Sequence, residues 1–422
     1  MKQINKAQTM IAILGIILIV FFGTFLSDSD NKLTLYLITG VIFGYILTRS
    51  RFGFAGGVKR IYITGEGSLT KALLIMFAVT IIAMAGIHWG AVSNGAEAIP
   101  GYSSVKTLNL AVIIGGFSFG IGMMLAGGCA SGTLTDLGEG AIRAVIALLF
   151  FFFLSVSGHV LRYKFDNSSL ANFVTEVYLP DIFGYIGAVL VSLALLYVLY
   201  MITRKYEDIR KKEGTFEETA FTDDELPMEE KEQFKLFSYN TYHKFFIQRW
   251  SFLVGGLLIA VMFVFVINTT GKSWGVTSAF TRWGVALLQN FGFNFNTPAF
   301  SGVVEKVDAG LLNDGGTVRN LGIIFGSALA LLLAGRFTFD YDFKIKDVLL
   351  YALGGFLMGF GARFAKGCNI GALYAAISNF SLHGWAFLVA LSLGGITGLK
   401  LFEGKLNIIP PSRHMPKEKI NN

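Results

Sequence analysis

Cys129 and Cys368 are the two cysteines of the 422-residue chain, and both stand in the same setting. Residues 115–134 read GGFSFGIGMMLAGGCASGTL and residues 354–373 read GGFLMGFGARFAKGCNIGAL. Aligned without gaps at an offset of 239, ten of twenty positions are identical, both cysteines among them. Chance alone would give about one or two matches, so the segment is an internal repeat. A thiol supplies a soft, weakly hydrogen-bonding sulfur. Gly128 and Gly367 let the chain turn before each thiol, and the residues that follow, Ser131 in one copy and Asn369 in the other, can open a short helix. The N-terminus of such a helix carries unpaired N–H groups and a partial positive charge, which suits an anion. An ion with both negative charge and a sulfur atom would match both halves of the site. A free cysteine is ordinarily a small buried hydrophobe; matched placement in two copies argues for a shared task.

Charges close to the repeats are the next candidates. Arg363 and Lys366 precede Cys368, and Asp136, Glu139 and Arg143 follow Cys129. Held within a membrane, such groups are costly and mark function; the competing reading has them snorkel to the headgroups or cap helix ends. Arg51, Lys59 and Arg60 could recruit an anion or only fix topology, and topology is the preferred reading. Met123, Met124 and Met358 would suit a soft metal, but methionine is also a common apolar filler. The five histidines show no ligand spacing, so neither a metal centre nor another cofactor is expected. No phosphate-binding loop is present, which argues against direct use of ATP. Two cysteines without CxxC spacing fit neither a disulfide scaffold nor a zinc site.

The elements that must hold these residues are membrane helices. Hydrophobic residues make up 53% of the chain and the mean hydropathy is +0.59, well above a soluble balance. Ten apolar stretches are each long enough to cross a hydrocarbon core of about 30 Å. They lie near 9–26, 33–49, 69–92, 104–128, 140–163, 181–203, 250–268, 316–336, 345–367 and 383–402. The first reads as a span, not as a cleaved signal. The pairs Gly116/Gly120 and Gly355/Gly359 are small-residue faces for helix packing. A charged segment, 204–248, reads as a cytoplasmic linker with some helix, and 404–422 as a basic cytoplasmic tail. Lys2, Lys6, the cluster from Arg49 to Lys71, the linker, Lys344, Lys346 and the C-terminal cations all fall on one side of this arrangement. The positive-inside rule then puts both termini in the cytoplasm. The net charge of +7 sets orientation and is no argument for nucleic acid.

Five spans per copy make the copies inverted. The expected fold is an all-α polytopic membrane protein of two inverted-topology, pseudo-symmetric repeats, 1–165 for the first and 181–203 with 250–403 for the second. Segments 129–138 and 368–379 are too short to cross and are expected to be re-entrant helices meeting near the midplane, shielded by protein. Loops 51–66 and 271–290 occupy corresponding places and form a second candidate pair.

The segments MLAGGCASGTL and FAKGCNIGAL, with RFGFAGGVKRIYITGEGSL, resemble the YeeE/YedE family of bacterial membrane proteins associated with sulfur-compound transport. The resemblance covers nearly the whole chain outside 204–248. It implies an hourglass-like body of two inverted halves, an inner-membrane location, thiosulfate or a related anion as substrate, and thiols that pass the anion along through S–H···S contacts, a role that falls on Cys129 and Cys368. It also implies a small cytoplasmic sulfur carrier of the TusA type as a partner. One departure stands out: thiosulfate-importing relatives carry a further cysteine where this chain has Gly53, Phe54 and Ala55. The expectation is therefore a non-enzymatic transporter with Cys129, Cys368, Gly128, Gly367, Ser131, Asn369, Arg363 and Lys366 at the substrate. Its rivals are a membrane thiol-redox protein and a soft-metal permease.

Overall fold

A computed structural model describes residues 4–169, 175–218, 221–228, 238–341 and 344–410. Lys2, the tail beyond Pro410 and parts of the 204–248 linker, all named above, lie outside the described residues. The fold is nearly all helix. The first half comprises α1 (Lys6–Ser27), α2 (Asn31–Arg49), α3 (Phe54–Thr64), α4 (Ser68–Ser93), α5 (Leu110–Leu125), α6 (Ala130–Gly138) and α7 (Ile142–Asp166). The second comprises α8 (Leu179–Lys212), α9 (Tyr239–Tyr242), α10 (Phe252–Thr270), α11 (Thr277–Asn290), α12 (Ser301–Asp308), α13 (Gly315–Ala334), α14 (Ile345–Phe364), α15 (Ala375–Ser378) and α16 (Leu382–Leu401). A two-residue antiparallel ladder joins Thr107–Leu108 to Thr175–Glu176. Among the described residues, ten helical stretches are long and apolar enough to span a membrane. This is a multi-pass membrane protein.

Helices pack chiefly across the two halves: α2 on α13 and α4 on α10, α5 on α16 and α7 on α14, with α5 against α14. Backbone proximity makes these crossings possible. On α2 and α13 a Cβ added to Gly40, Gly44 or Gly326 would overlap a carbonyl oxygen of the facing helix. Interfaces of this kind exploit small residues because lipid supplies no hydrophobic drive between helices. On α5 and α14, Gly115 faces Gly361 and Gly122 faces Gly354, so the two helices run antiparallel. Ser118 Oγ donates to Leu357 O at 3.2 Å, a pair separated by the repeat offset of 239.

The helix of the sixth span continues into the linker: α8 runs on to Lys212. No glycine or proline interrupts 204–212, and the Glu207–Lys211 pair at 3.3 Å supports the helix surface while Lys71 meets Glu207 at 2.8 Å. Segments 51–66 and 271–290, the second candidate pair, hold the short helices α3 and α11.

The linker is tethered by Glu225, which is only 8% exposed. Its Oε1 accepts from Arg51 Nε at 2.9 Å and meets Arg336 Nη1 at 2.8 Å. Burial opposes ionisation of Glu225, but Arg51 and Arg336 outweigh it and hold the carboxyl below its usual range. A depressed carboxyl contributes stability above its unfolded value and loses it as pH falls through the folded one. Glu225→Gln is therefore expected to raise trypsin cleavage within 204–249 several-fold at neutral pH, and acidification should reproduce the effect in the unaltered protein. Equal cleavage rates in both proteins would show that the clamp does not hold the linker.

Candidate functional site

Each thiol sits where a long helix ends and a short segment begins. In the first copy α5 stops at Leu125, and Gly127 takes a left-handed conformation (φ 84°). Cys129 then caps α6. In the second copy the left-handed residue at the matching position is Lys366 (φ 57°), followed by Gly367 at φ 156°. A Cβ on Gly367 would lie 2.7 Å from Ala372 N, so no larger residue fits. The turn thus begins one residue earlier than Gly128, the glycine the sequence singled out. The short segments also differ: α6 is a regular helix of nine residues, whereas 369–374 forms a wider π-type turn that leads into α15.

Both thiols are buried, at 1% and 0% exposure, and lie within electrostatic range of each other. Ser131 Oγ is 3.3 Å from Cys129 Sγ. Backbone N–H groups of Ile370 and Gly371 face the Cys368 sulfur. Asn369 is fully buried and donates through Nδ2 to Met123 Sδ at 3.7 Å, which links the second Gly-Cys segment to the helix carrying the first. Gly128 packs against Gly132 one turn into α6.

The two basic candidates behave differently. Arg363 lies within electrostatic range of Cys368; its Nη1 donates to Thr281 Oγ1 at 2.9 Å and to Thr277 O at 3.4 Å, both on α11. Its Nε is enclosed without a hydrogen-bond partner. The Lys366 ammonium turns instead to Asp166, 3.3 Å away, which also pairs with Arg162 at 2.9 Å. On the Cys129 side, Arg143 pairs with Asp136 at 2.8 Å and Asp340 at 3.3 Å, and lines the turn at Gly127. Glu139 accepts from Thr48 Oγ1 at 2.8 Å, and burial raises its carboxyl to about 7.

Sequence reasoning missed Lys106. This partly buried lysine precedes α5, and its Nζ donates to Lys366 O at 2.8 Å and Gly371 O at 2.6 Å, one on each side of Cys368. The only sequence signal is a lone cation just ahead of the apolar run NLAVIIGG.

Among the described residues, ten helical stretches fit to span a membrane, together with a duplicated Gly-Cys segment whose two thiols are buried, define a polytopic membrane protein. The chain belongs to the sulphur transport (YeeE/YedE) family, whose model matches residues 49–397. It is 28% identical over 362 residues to the thiosulfate transporter TsuA of Escherichia coli K12, covering 85% of this chain and 91% of that protein. It is 25% identical over 378 residues to the TsuA of Spirochaeta thermophila, covering 86% and 96%. The probable transporter YedE of E. coli K12 matches at 30% over 158 residues, 37% of this chain and 39% of that protein.

Proposed function

We propose that this protein carries a small sulfur-containing anion, thiosulfate or a close relative, across the inner membrane through a narrow passage at which Cys129 and Cys368 meet the sulfur end. The observation that carries the reading is the approach of the two duplicated Gly-Cys segments, with both thiols buried and within range of each other. Relatives named as thiosulfate transporters along most of the chain support the substrate class. Inversion of the two repeats, 1–165 and 181–203 with 250–403, is supported by the antiparallel crossing of α5 and α14 and by packing that is preserved when the halves are exchanged. The shortness of α6 and of 369–378 supports re-entrant segments, since neither can cross a bilayer alone.

In this mechanism each thiol is a reversible ligand. Helix-start N–H groups stabilise charge, the sulfur contacts sulfur, and the ion moves from one thiol to the other. Termini in the cytoplasm, from the positive-inside pattern, put Cys368 towards the outer face and the linker inside, where a TusA-like carrier would dock. Moving a dianion inward against 100 mV costs about 4.6 kcal/mol. Accumulation therefore requires a coupled ion or rapid capture of sulfur inside.

The test is uptake of radiolabelled thiosulfate into proteoliposomes holding the purified protein. Saturable uptake, inhibited by unlabelled thiosulfate and not by equal sulfate, is the expected result. Uptake indistinguishable from empty liposomes would overturn the proposal, and a reversible Cys129–Cys368 disulfide formed during turnover would favour a redox role instead.

A further inference from the structure

Both thiols are sealed, so no ion reaches them until a neighbouring element moves. α3 is the element built for that. Its 11 residues are too few to cross the bilayer. Where Gly56 and Gly57 rest on α4, a Cβ would meet only the side-chain ends of Leu69 and Leu73, whereas α2 and α13 lie backbone against backbone. Left-handed residues flank α3, Arg51 (φ 48°) before it and Gly65 (φ 77°) after it. Element-terminal positions of this kind are where a hinge absorbs changes of backbone angle. α3 also faces both Gly-Cys segments. The Phe54 ring lies 5.8 Å from that of Tyr374, in the turn after Cys368. Lys59 is within electrostatic range of Asp136 and of Arg143, which lines the turn before Cys129.

The charged stretch between the halves grips α3 at both ends. Beyond its C-terminus stands Arg210, on the extension of α8 and only 2% exposed. It donates to Tyr62 O at 3.0 Å and Ile63 O at 3.1 Å, and to Thr215 O at 2.9 Å. Glu217 N donates to Thr64 O at 2.7 Å. The last carbonyls of a helix have no partner within it, so a cation and an N–H placed there hold the helix end. Ahead of α3, Glu225 closes on Arg51 and, through Arg336, on the end of α13. Arg49, one turn of chain earlier, is buried and donates through Nη1 to Ile247 O at 2.8 Å, while Trp250 N donates to Arg49 O at 3.0 Å. These contacts are polar and local, so they can release without parting any of the spanning helices.

Resting on the transport reading above, we infer that the 204–250 stretch is a clasp on α3 that keeps the passage shut, and that its release lets α3 move and admits the ion to the thiols. The clasp carries an event on the linker to the interior of the membrane: whatever displaces Glu225 or Arg210 repositions a helix that lies beside both Gly-Cys segments. Transport is then set by the linker, although no residue of the linker touches either thiol.

The experiment combines hydrogen exchange of peptides covering 54–64 with thiosulfate uptake, both on the purified full-length protein in liposomes. Glu225→Gln and Arg210→Gln are each expected to speed exchange in α3 about tenfold or more, the scale of one lost charge-assisted hydrogen bond. Each should also raise the initial rate of uptake, by about threefold or more, as expected when a closing element limits turnover. Joining Glu225→Cys to Arg51→Cys with a short bis-maleimide should cut uptake about tenfold or more, while neither single variant loses uptake on the same treatment. Arg204→Gln, on the exposed side of the same α8 extension, should change neither readout. Monodispersity separates release of the clasp from loss of fold, and Glu225→Gln, which exchanges one oxygen for nitrogen, carries the test if Arg210→Gln does not fold. Unchanged exchange in α3, or faster exchange with uptake unchanged or lower, overturns the inference while the transport reading stands. If wild type carries no thiosulfate, the transport reading fails first, and exchange in α3 alone decides whether the linker clasps that helix.

Discussion

Cys368→Ser and Cys129→Ser are each expected to reduce thiosulfate uptake by about a hundredfold, equal to roughly 2.7 kcal/mol on the rate-limiting barrier. Serine nearly matches cysteine in shape, and both sites are sealed from solvent, so membrane levels should not change. What is lost is the soft contact: a hydroxyl is a harder group and binds sulfur poorly. Each thiol also sits among backbone N–H groups or a neighbouring hydroxyl that would tie up a serine oxygen, Ser131 in one copy and Ile370 with Gly371 in the other. Full transport by the double variant, measured at equal protein density, would remove the thiols from the mechanism.

The second large effect concerns folding. Gly326→Val places a branched side chain where even a single Cβ would overlap the Val41 carbonyl, at the crossing of α2 and α13. A backbone oxygen cannot swing aside as a side chain can, so the helices must part. The expected cost is about 3 kcal/mol or more, the upper end of overpacking. Fluorescence-detected gel filtration should show little monodisperse protein. Gly90→Ala is the control: it sits on α4 with open space around its Cβ position and should leave the profile intact. A normal profile for Gly326→Val would mean the crossing is looser than described.

Much of the scaffold was legible in the sequence because its signals are local. Ten apolar runs mark the ten candidate spans, though not all of their ends, since hydropathy records the solvent each segment must tolerate. The duplicated Gly-Cys segment was visible because glycine at a helix crossing tolerates little substitution. The partners of the thiols were not legible. Lys106 reaches carbonyls 260 and 265 residues away, a pairing that no local pattern encodes. The anchor of Arg363 on α11 lies 82 and 86 residues away in sequence, again beyond any local pattern. Lys366 was chosen for its charge, whereas its backbone carries more of the geometry: the left-handed turn and the carbonyl that holds Lys106. Helix in the charged 204–248 segment is legible too, since a helix leaving the bilayer is free to be charged all round, but where it stops, at Lys212, is not.

The mutual packing of the halves also constrains how the protein is made. The principal neighbours of α2, α5 and α7 are α13, α16 and α14, all synthesised later. A nascent chain that has just inserted α7 therefore waits in the bilayer with its glycine faces against lipid, and biogenesis completes only once the last helix emerges. Two separately expressed halves should mature when supplied together, and each should be cleared by membrane proteases when made alone.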